Sequence, residues 1–372
     1  MHPQVSDIIA AMETLAPSQL AEPWDNVGLQ VGNRSWPAPK IWVALDPLPH
    51  VISAACDQQV QVLVTHHPFL FRPLTCIDFA TPGGDIIARA AKAKLSIIAA
   101  HTNLDIVSGG INDLIAHRLN LDQITVLRPE ADASRFKFVV FAPLGTEEKI
   151  RQAIFDGGGG TIAPYECCSF AVAGQGTFKP SAAARPTTGE TGRLNQAAEM
   201  RIEAVVPKAN LLKVVQQVRQ VHPYETMAYD LYPLHEAVDR QGLGRVGRLN
   251  MPMPFNQFAQ HVKSLFEIPS LRVSGPPDLE VRQVAICSGS GGTLLKAFVT
   301  SGAQVYLSGD LGYHDAREVE QLGLALIDLG HFASEQVIIP VLAERLQQLL
   351  SQRGFEVQVK PCALEQEPFY IV

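Results

Sequence analysis

This 372-residue sequence lacks the marks of most specialised protein classes. Its six cysteines, Cys56, Cys76, Cys167, Cys168, Cys287 and Cys362, form no CxxC pair and no regular framework. That argues against a thiolate zinc site and against a disulfide scaffold. No apolar run reaches about 18 residues, so no transmembrane helix is expected. The start, MHPQVSDIIAAMETLAP, has no basic region ahead of an apolar one, and so does not read as a secretory leader. The net charge of −7 gives no general electrostatic reason to bind nucleic acid, a local basic patch aside. The run Gly157-Gly158-Gly159-Gly160 is not followed by GK[ST] and reads as a flexible turn rather than a phosphate loop. A soluble cytoplasmic protein with reduced thiols is the expectation.

What is present is a set of three short motifs, each placed after an apolar, strand-like run. His66-His67-Pro68 follows QVLVT, His101-Thr102-Asn103-Leu104-Asp105 follows LSIIAA, and His331-Phe332-Ala333-Ser334-Glu335 follows LALIDLG. Ligands of open α/β sheets bind beyond the carboxyl ends of the strands, so motifs distant in sequence can converge there. Neighbours in extended backbone project to opposite sides, which disposes His66 and His67 towards different ions. Pro68 keeps His67 out of the helical region. His331 and Glu335 are four apart at the head of a helical pattern, ASEQVIIPVLAERLQQLL, and share its face. The carboxylates Asp105 and Glu335 can bridge cations, and the mixed N/O donor set suits Zn, Fe, Mn, Co or Ni. His101, four before Asp105, is either a ligand or a residue that orients one. A lone histidine at a strand end is more often a hydrogen-bonded loop residue, and it is the convergence of three motifs that favours a polynuclear metal site.

At this length more than one domain is expected. The fold class is α/β, a layered host carrying an inserted domain. In residues 1–134 helical and strand patterns alternate, and the alternation resumes in 235–372, from strand VRQVAIC to the last long helix. The two stretches are expected to form one layered α/β domain. Between them, residues 135–234 read β-α-β-β-α-β, the ferredoxin-like order. An insert whose ends lie close together is easily accommodated by a host loop.

The motifs WDNVGL, VTHHP, HTNLD, GDLGYHDA and DLGHFASE, in this order, resemble the YbgI/YqfO family. These are the NIF-three-like dinuclear metal-centre proteins often labelled type-2 GTP cyclohydrolase I. The resemblance covers nearly the whole chain. EMRIEAVVP and HPYETMAYDLYPL resemble the PII-like or CutA-like domain inserted in longer members, with Met227 standing where proline is expected. The resemblance implies that His66, His67, Asp105, His331 and Glu335 ligate two divalent transition metal ions, with Glu335 bridging. It also implies a homohexamer with metal sites facing an internal cavity.

Further residues carry weaker signals. Asp25 and Asn26 either form an Asx turn or line the site. Tyr313-His314-Asp315 follows strand QVYLSG, and His314, with His101, is taken as a catalytic residue able to act as a general acid or bind substrate. Ser288-Gly289-Ser290-Gly291-Gly292 is either an anion-holding loop before a helix or a plain tight turn. His222-Pro223-Tyr224-Glu225 reads as a helix-ending turn that could reach a subunit interface. Two functions follow. The first is metal-assisted hydrolysis of an anionic or nucleotide-like substrate, GTP ring opening being what the family label implies. The second is a non-catalytic, metal-responsive regulator or metal-handling protein whose insert is a sensor.

Overall fold

The computed structural model describes residues 1–129, 135–162, 165–234 and 241–370. The chain divides into two compact units, Met1–Glu130 with Asp239–Val372, and Ala131–Val238. The expected boundaries at 134/135 and 234/235 adjoin residues 130–134 and 235–240, which lie outside the described residues.

The discontinuous unit contains two sheets rather than one. The first runs in the order Gly28–Val31, Ser96–Ala99, Val62–Thr65, Lys40–Ala44, Gln358–Pro361, all parallel except the first pair. The second has six strands, in the order Arg272–Ser274, Ala325–Asp328, Val305–Gly309, Glu280–Ser290, Gly242–Pro254, Leu121–Pro129. Its three middle pairings include the two parallel ones, between Glu280–Ser290, Val305–Gly309 and Ala325–Asp328. Strands of this kind are buried on both faces and read as continuous apolar runs, as VLVT, SIIA and ALID do.

Alternation along the strands decides which layer each side chain joins. Ile41, Val43, Val62, Val64 and Ile98 share one core with Val284, Ile286, Val305, Leu307 and Ile327, together with residues of the helices Val5–Leu15, Ile111–Arg118, Phe255–Leu265 and Ile338–Gln352. The opposite face of the first sheet, with Trp42, Leu63 and Ile97, packs on helices Pro49–Asp57 and Pro82–Ala93. That of the second, with Ala285, Tyr306 and Leu326, packs on Leu295–Ser301 and Tyr313–Gln321. A helix layer therefore lies between the two sheets, and each sheet carries helices outside.

The final helical pattern is broken. A short helix His331–Glu335 is followed by a separate one, Ile338–Gln352. Pro340 explains the restart: lacking an N–H, it fits the first turn of the second helix, where no intrahelical donor is needed, and would break the interior of a continuous one.

In the other unit the elements follow the order strand, helix, strand, strand, helix, strand. The strands pair antiparallel as Phe170–Phe178, Asn195–Pro207, Arg135–Pro143, Tyr229–Pro233. Phe138, Val140, Ile202, Ala204 and Val206 on one sheet face pack against Ile150 and Ile154 of one helix and Val214 and Val218 of the other. Met227 is buried in this core, filling the position apolar side chains would claim.

Candidate metal centre

The parallel strands deliver the motif residues. Val62–Thr65 ends at His66-His67, Ser96–Ala99 runs into His101 and the helix Thr102–Ile106, and Ala325–Asp328 leads to the helix His331–Glu335. Their donor atoms come together in three overlapping groups that could hold a metal ion: His67, His331 and Glu335; His66, Asp105 and Glu335; and His66, His67 and His101. Glu335, almost fully buried, places Oε1 3.5 Å from His66 Nε2 and Oε2 3.0 Å from His67 Nε2 and 3.1 Å from His331 Nε2. Asp105 Oδ2 lies 3.9 Å from His66 Nε2.

Each imidazole is oriented from behind, through Nδ1. His66 Nδ1 is 2.9 Å from the carbonyl of Ala100, His67 Nδ1 2.8 Å from Asp46 Oδ1, His101 Nδ1 2.9 Å from Asp25 Oδ1, and His331 Nδ1 2.7 Å from Asp310 Oδ2. Every one of these partners is an acceptor, so Nδ1 carries the proton and donates, and Nε2 is the nitrogen turned to the cluster. His67 Nε2 and His331 Nε2 then face each other at 3.2 Å. Buried His66 Nε2 and Glu335 Oε2 lack a properly aligned hydrogen-bond partner. Lone pairs aimed at common points rather than at donors are the arrangement a cation satisfies, so this donor set fits a metal.

Further contacts fix the carboxylates. Ser288 Oγ donates to Asp105 Oδ1 at 2.7 Å, leaving Oδ2 for His66. Asn112 accepts from the Ser288 amide at 2.8 Å and donates to the Asp105 carbonyl at 3.1 Å. Gly289 packs directly on Glu335: its φ is +58°, and a Cβ there would run into Glu335 Oε1, so only glycine combines that backbone with that approach. Asp46 is itself braced, since its amide and that of Leu45 donate to Glu365.

The electrostatics are those of a dense, half-neutralised cluster. Burial opposes charge on His67, yet hydrogen bonds and charge from Asp46 and Glu335 outweigh it and push its pKa to about 10. The hydrogen bond to Glu335 leads the causes that lift His331 to about 9. Burial works against ionised Glu335, but the charge of His66 and the close approach of the His331, His66 and His67 rings hold it well below the usual carboxylate range. Asp105 is raised, chiefly by burial. Asp25 is opposed by burial too, but hydrogen bonds from His101 and Thr102 bring it to about 2. A cation must therefore compete with protons for these nitrogens.

The cluster forms part of the wall of a cavity of about 600 Å³ that Trp24, Phe71, His101, Arg128 and Ser290 also line. His314 is not among the lining residues. It is exposed and stacks edge-on to Tyr313, while Asp315 accepts from the Gly312 amide at its own helix start. The glycine-rich segment is largely the end of strand Glu280–Ser290, and its Ser288 and Gly289 amides donate to Asn112 and Ser334. It therefore braces the carboxylates instead of offering those amides to an anion. His222 closes the helix Leu211–Val221: its Nε2 lies 2.9 Å from the Phe141 carbonyl, and its Nδ1 accepts from the Tyr224 amide. Asp46 and Asp310 were not singled out in the sequence. Only the position of Asp310, directly after an apolar strand, hinted at it.

Fold and site define an α/β protein whose parallel strands bring histidines and carboxylates into one cluster able to hold a metal ion. The profile of the Duf34/NIF3 (NGG1p interacting factor 3) family matches residues 3–368. The chain belongs to this family. It is similar to proteins named "GTP cyclohydrolase 1 type 2 homolog" from Halalkalibacterium halodurans (37% identity, 98% of each chain) and Bacillus subtilis (36%, 97% of each). Among solved structures it is similar to a Bacillus cereus protein related to NIF3, at 36% identity with a TM-score of 0.72, and to a Staphylococcus aureus protein at 25% with a TM-score of 0.77. Each alignment covers 100% of both chains. Among the described residues no helix is long and apolar enough to cross a membrane.

Proposed function

We propose that this chain is a metal-dependent hydrolase with a two-ion centre, acting on an anionic or nucleotide-like substrate. The observation that carries the reading is the division of Glu335 between its neighbours: one oxygen towards His66, the other towards His67 and His331. His67, His331 and Glu335 would hold one divalent cation, and His66, Asp105 and Glu335 the other, drawn from Zn, Fe, Mn, Co or Ni. Such a pair supplies Lewis acidity and lowers the pKa of bound water.

The protein's own groups supply the rest. Asp25, ionised and buried, holds the His101 ring with Nδ1 protonated, so Nε2 is the group free to take or give a proton in the cavity. His101 therefore takes the general acid–base role, for which exposed His314 is not placed. The aromatic side chains of Trp24 and Phe71 stand beside the cluster in the cavity wall. The names of the relatives make GTP the first substrate to try, and the resemblance supports a homohexamer, to be checked by light scattering.

The test combines metal content with turnover. Reconstituted protein should carry about two equivalents of metal per chain and hydrolyse GTP, another nucleotide or a phosphoester, with His67→Ala abolishing turnover. Tight, exchangeable metal without turnover on any of these would favour the regulatory reading. No more than trace metal after reconstitution would end both.

A further inference from the structure

We propose that Arg128, Trp24 and Phe71 form a recognition subsite beside the metal cluster for the phosphate and the planar ring of a nucleoside phosphate. The inference rests on the hydrolase reading and deepens it by assigning side chains to the phosphate and to the ring of a nucleotide-like substrate, with the cavity as the substrate site.

Arg128 is the only lysine or arginine lining the cavity, among the described residues. It reaches in from strand Leu121–Pro129 and is paired, half-exposed, with Glu22. A guanidinium has five N–H donors in a fixed fork suited to phosphate, and one carboxylate does not exhaust them. Glu22 is itself tied to the catalytic side of the cavity. Its amide donates to Thr102 Oγ1 at 2.9 Å, the Thr102 hydroxyl donates to Asp25 Oδ2 at 2.5 Å, and Asp25 Oδ1 accepts from His101 Nδ1. An anion that draws Arg128 from Glu22 would thus sit on the side of the cavity where this chain fixes the proposed acid–base residue.

The aromatic pair supplies the second half. Trp24 and Phe71 are 58% and 51% exposed although they line the same cavity. Their ring centroids are 5.9 Å apart, and both present edge contacts to His101, at 6.0 and 6.5 Å. Two large rings left open to water next to a charged cluster are a platform on which a planar ring can stack, with a gain that is tolerant of ring identity. A cavity of about 600 Å³ holds a ring, a sugar and a phosphate together.

Calorimetric titration of the metal-loaded full chain with guanosine 5′-monophosphate, guanosine and ribose 5-phosphate tests this. Arg128→Ala should weaken the two phosphates roughly tenfold to hundredfold and leave guanosine unchanged. Trp24→Ala should weaken the monophosphate and guanosine about tenfold and spare ribose 5-phosphate. Glu22→Gln removes the competing carboxylate and should tighten both phosphates, whereas a purely structural Arg128–Glu22 pair would make Glu22→Gln and Arg128→Ala lose affinity alike. That parallel loss, or a wild-type chain binding the monophosphate no better than guanosine, overturns the proposal. The expected binding pattern without any turnover would leave the subsite standing and count against the hydrolase reading alone.

Discussion

The two sheets of the discontinuous unit end in the same way and diverge in one methylene. In each, the parallel strand that borders the antiparallel edge strand passes into a five-residue helix, with an acid four residues after a histidine: His101 to Asp105 after Ser96–Ala99, His331 to Glu335 after Ala325–Asp328. Both histidines are held through Nδ1 by an aspartate, Asp25 or Asp310. The acids behave differently. Asp105 has one oxygen held by Ser288 and one facing His66, while the longer Glu335 divides its oxygens between His66 and the pair His67 and His331. Equal scaffolds thus place unequal carboxylates, and side-chain reach decides which of them can be shared.

The sharpest way to break this comparison is to remove each charge in turn. Glu335→Gln should lower occupancy at both positions together, whereas Asp105→Asn should lower one, as read by metal titration under matched conditions. If the two variants lose metal equally, the carboxylates are equivalent and Glu335 is not the shared ligand. The histidines should divide next. His331→Ala should empty chiefly one position, while His101→Ala should keep both metals and lower kcat by roughly 10²- to 10⁴-fold, the range of general acid–base catalysis. Metal loss in His101→Ala would make it a ligand, equivalent to His331.

The orienting aspartates should give smaller effects of like size. Asp46→Ala and Asp310→Ala each should weaken metal binding about 10- to 100-fold, measured by competition with a chelator. The smallest effect concerns pH. The folded-state pKa values of His67 and His331, about 10 and about 9, lie above the ordinary 6.5, so in metal-free protein their contribution to stability is complete below about pH 6.5. It is lost as pH rises through 9 to 10. Metal binding needs the neutral rings and strengthens in the same direction. The gap in melting temperature between loaded and chelated protein should widen from pH 6.5 to pH 10; a gap that is flat or narrows would show that these protons are not displaced.

Much of this arrangement was legible in the sequence because parallel strands announce themselves. VLVT, SIIA and ALID are short, β-branched and apolar, and polar residues directly after them have few places to go but the carboxyl edge of a sheet. The same logic singled out His314, which is exposed and does not line the cavity, since position at a strand end does not fix which way a helix start turns. The orienting groups were less legible. Asp25 lies 76 residues from His101, and Ser288 lies 183 from Asp105. Such pairs leave no periodicity, and an aspartate in a loop looks the same whether it caps a turn or steers an imidazole. The strands Leu121–Pro129, Gly242–Pro254 and Gln358–Pro361 were also unseen, their mixed polar burial giving no clean alternation.

His67 and His331 meet across 264 residues of chain, with the whole of the second compact unit between them in sequence. A shared cation would therefore act as a staple, closing a loop far longer than most disulfides span and doing so reversibly. Chelation would then do more than silence a reaction. It would remove one cross-link between two halves of an interrupted unit that a common core and shared sheets already join, so metal supply would tune how long the folded chain survives.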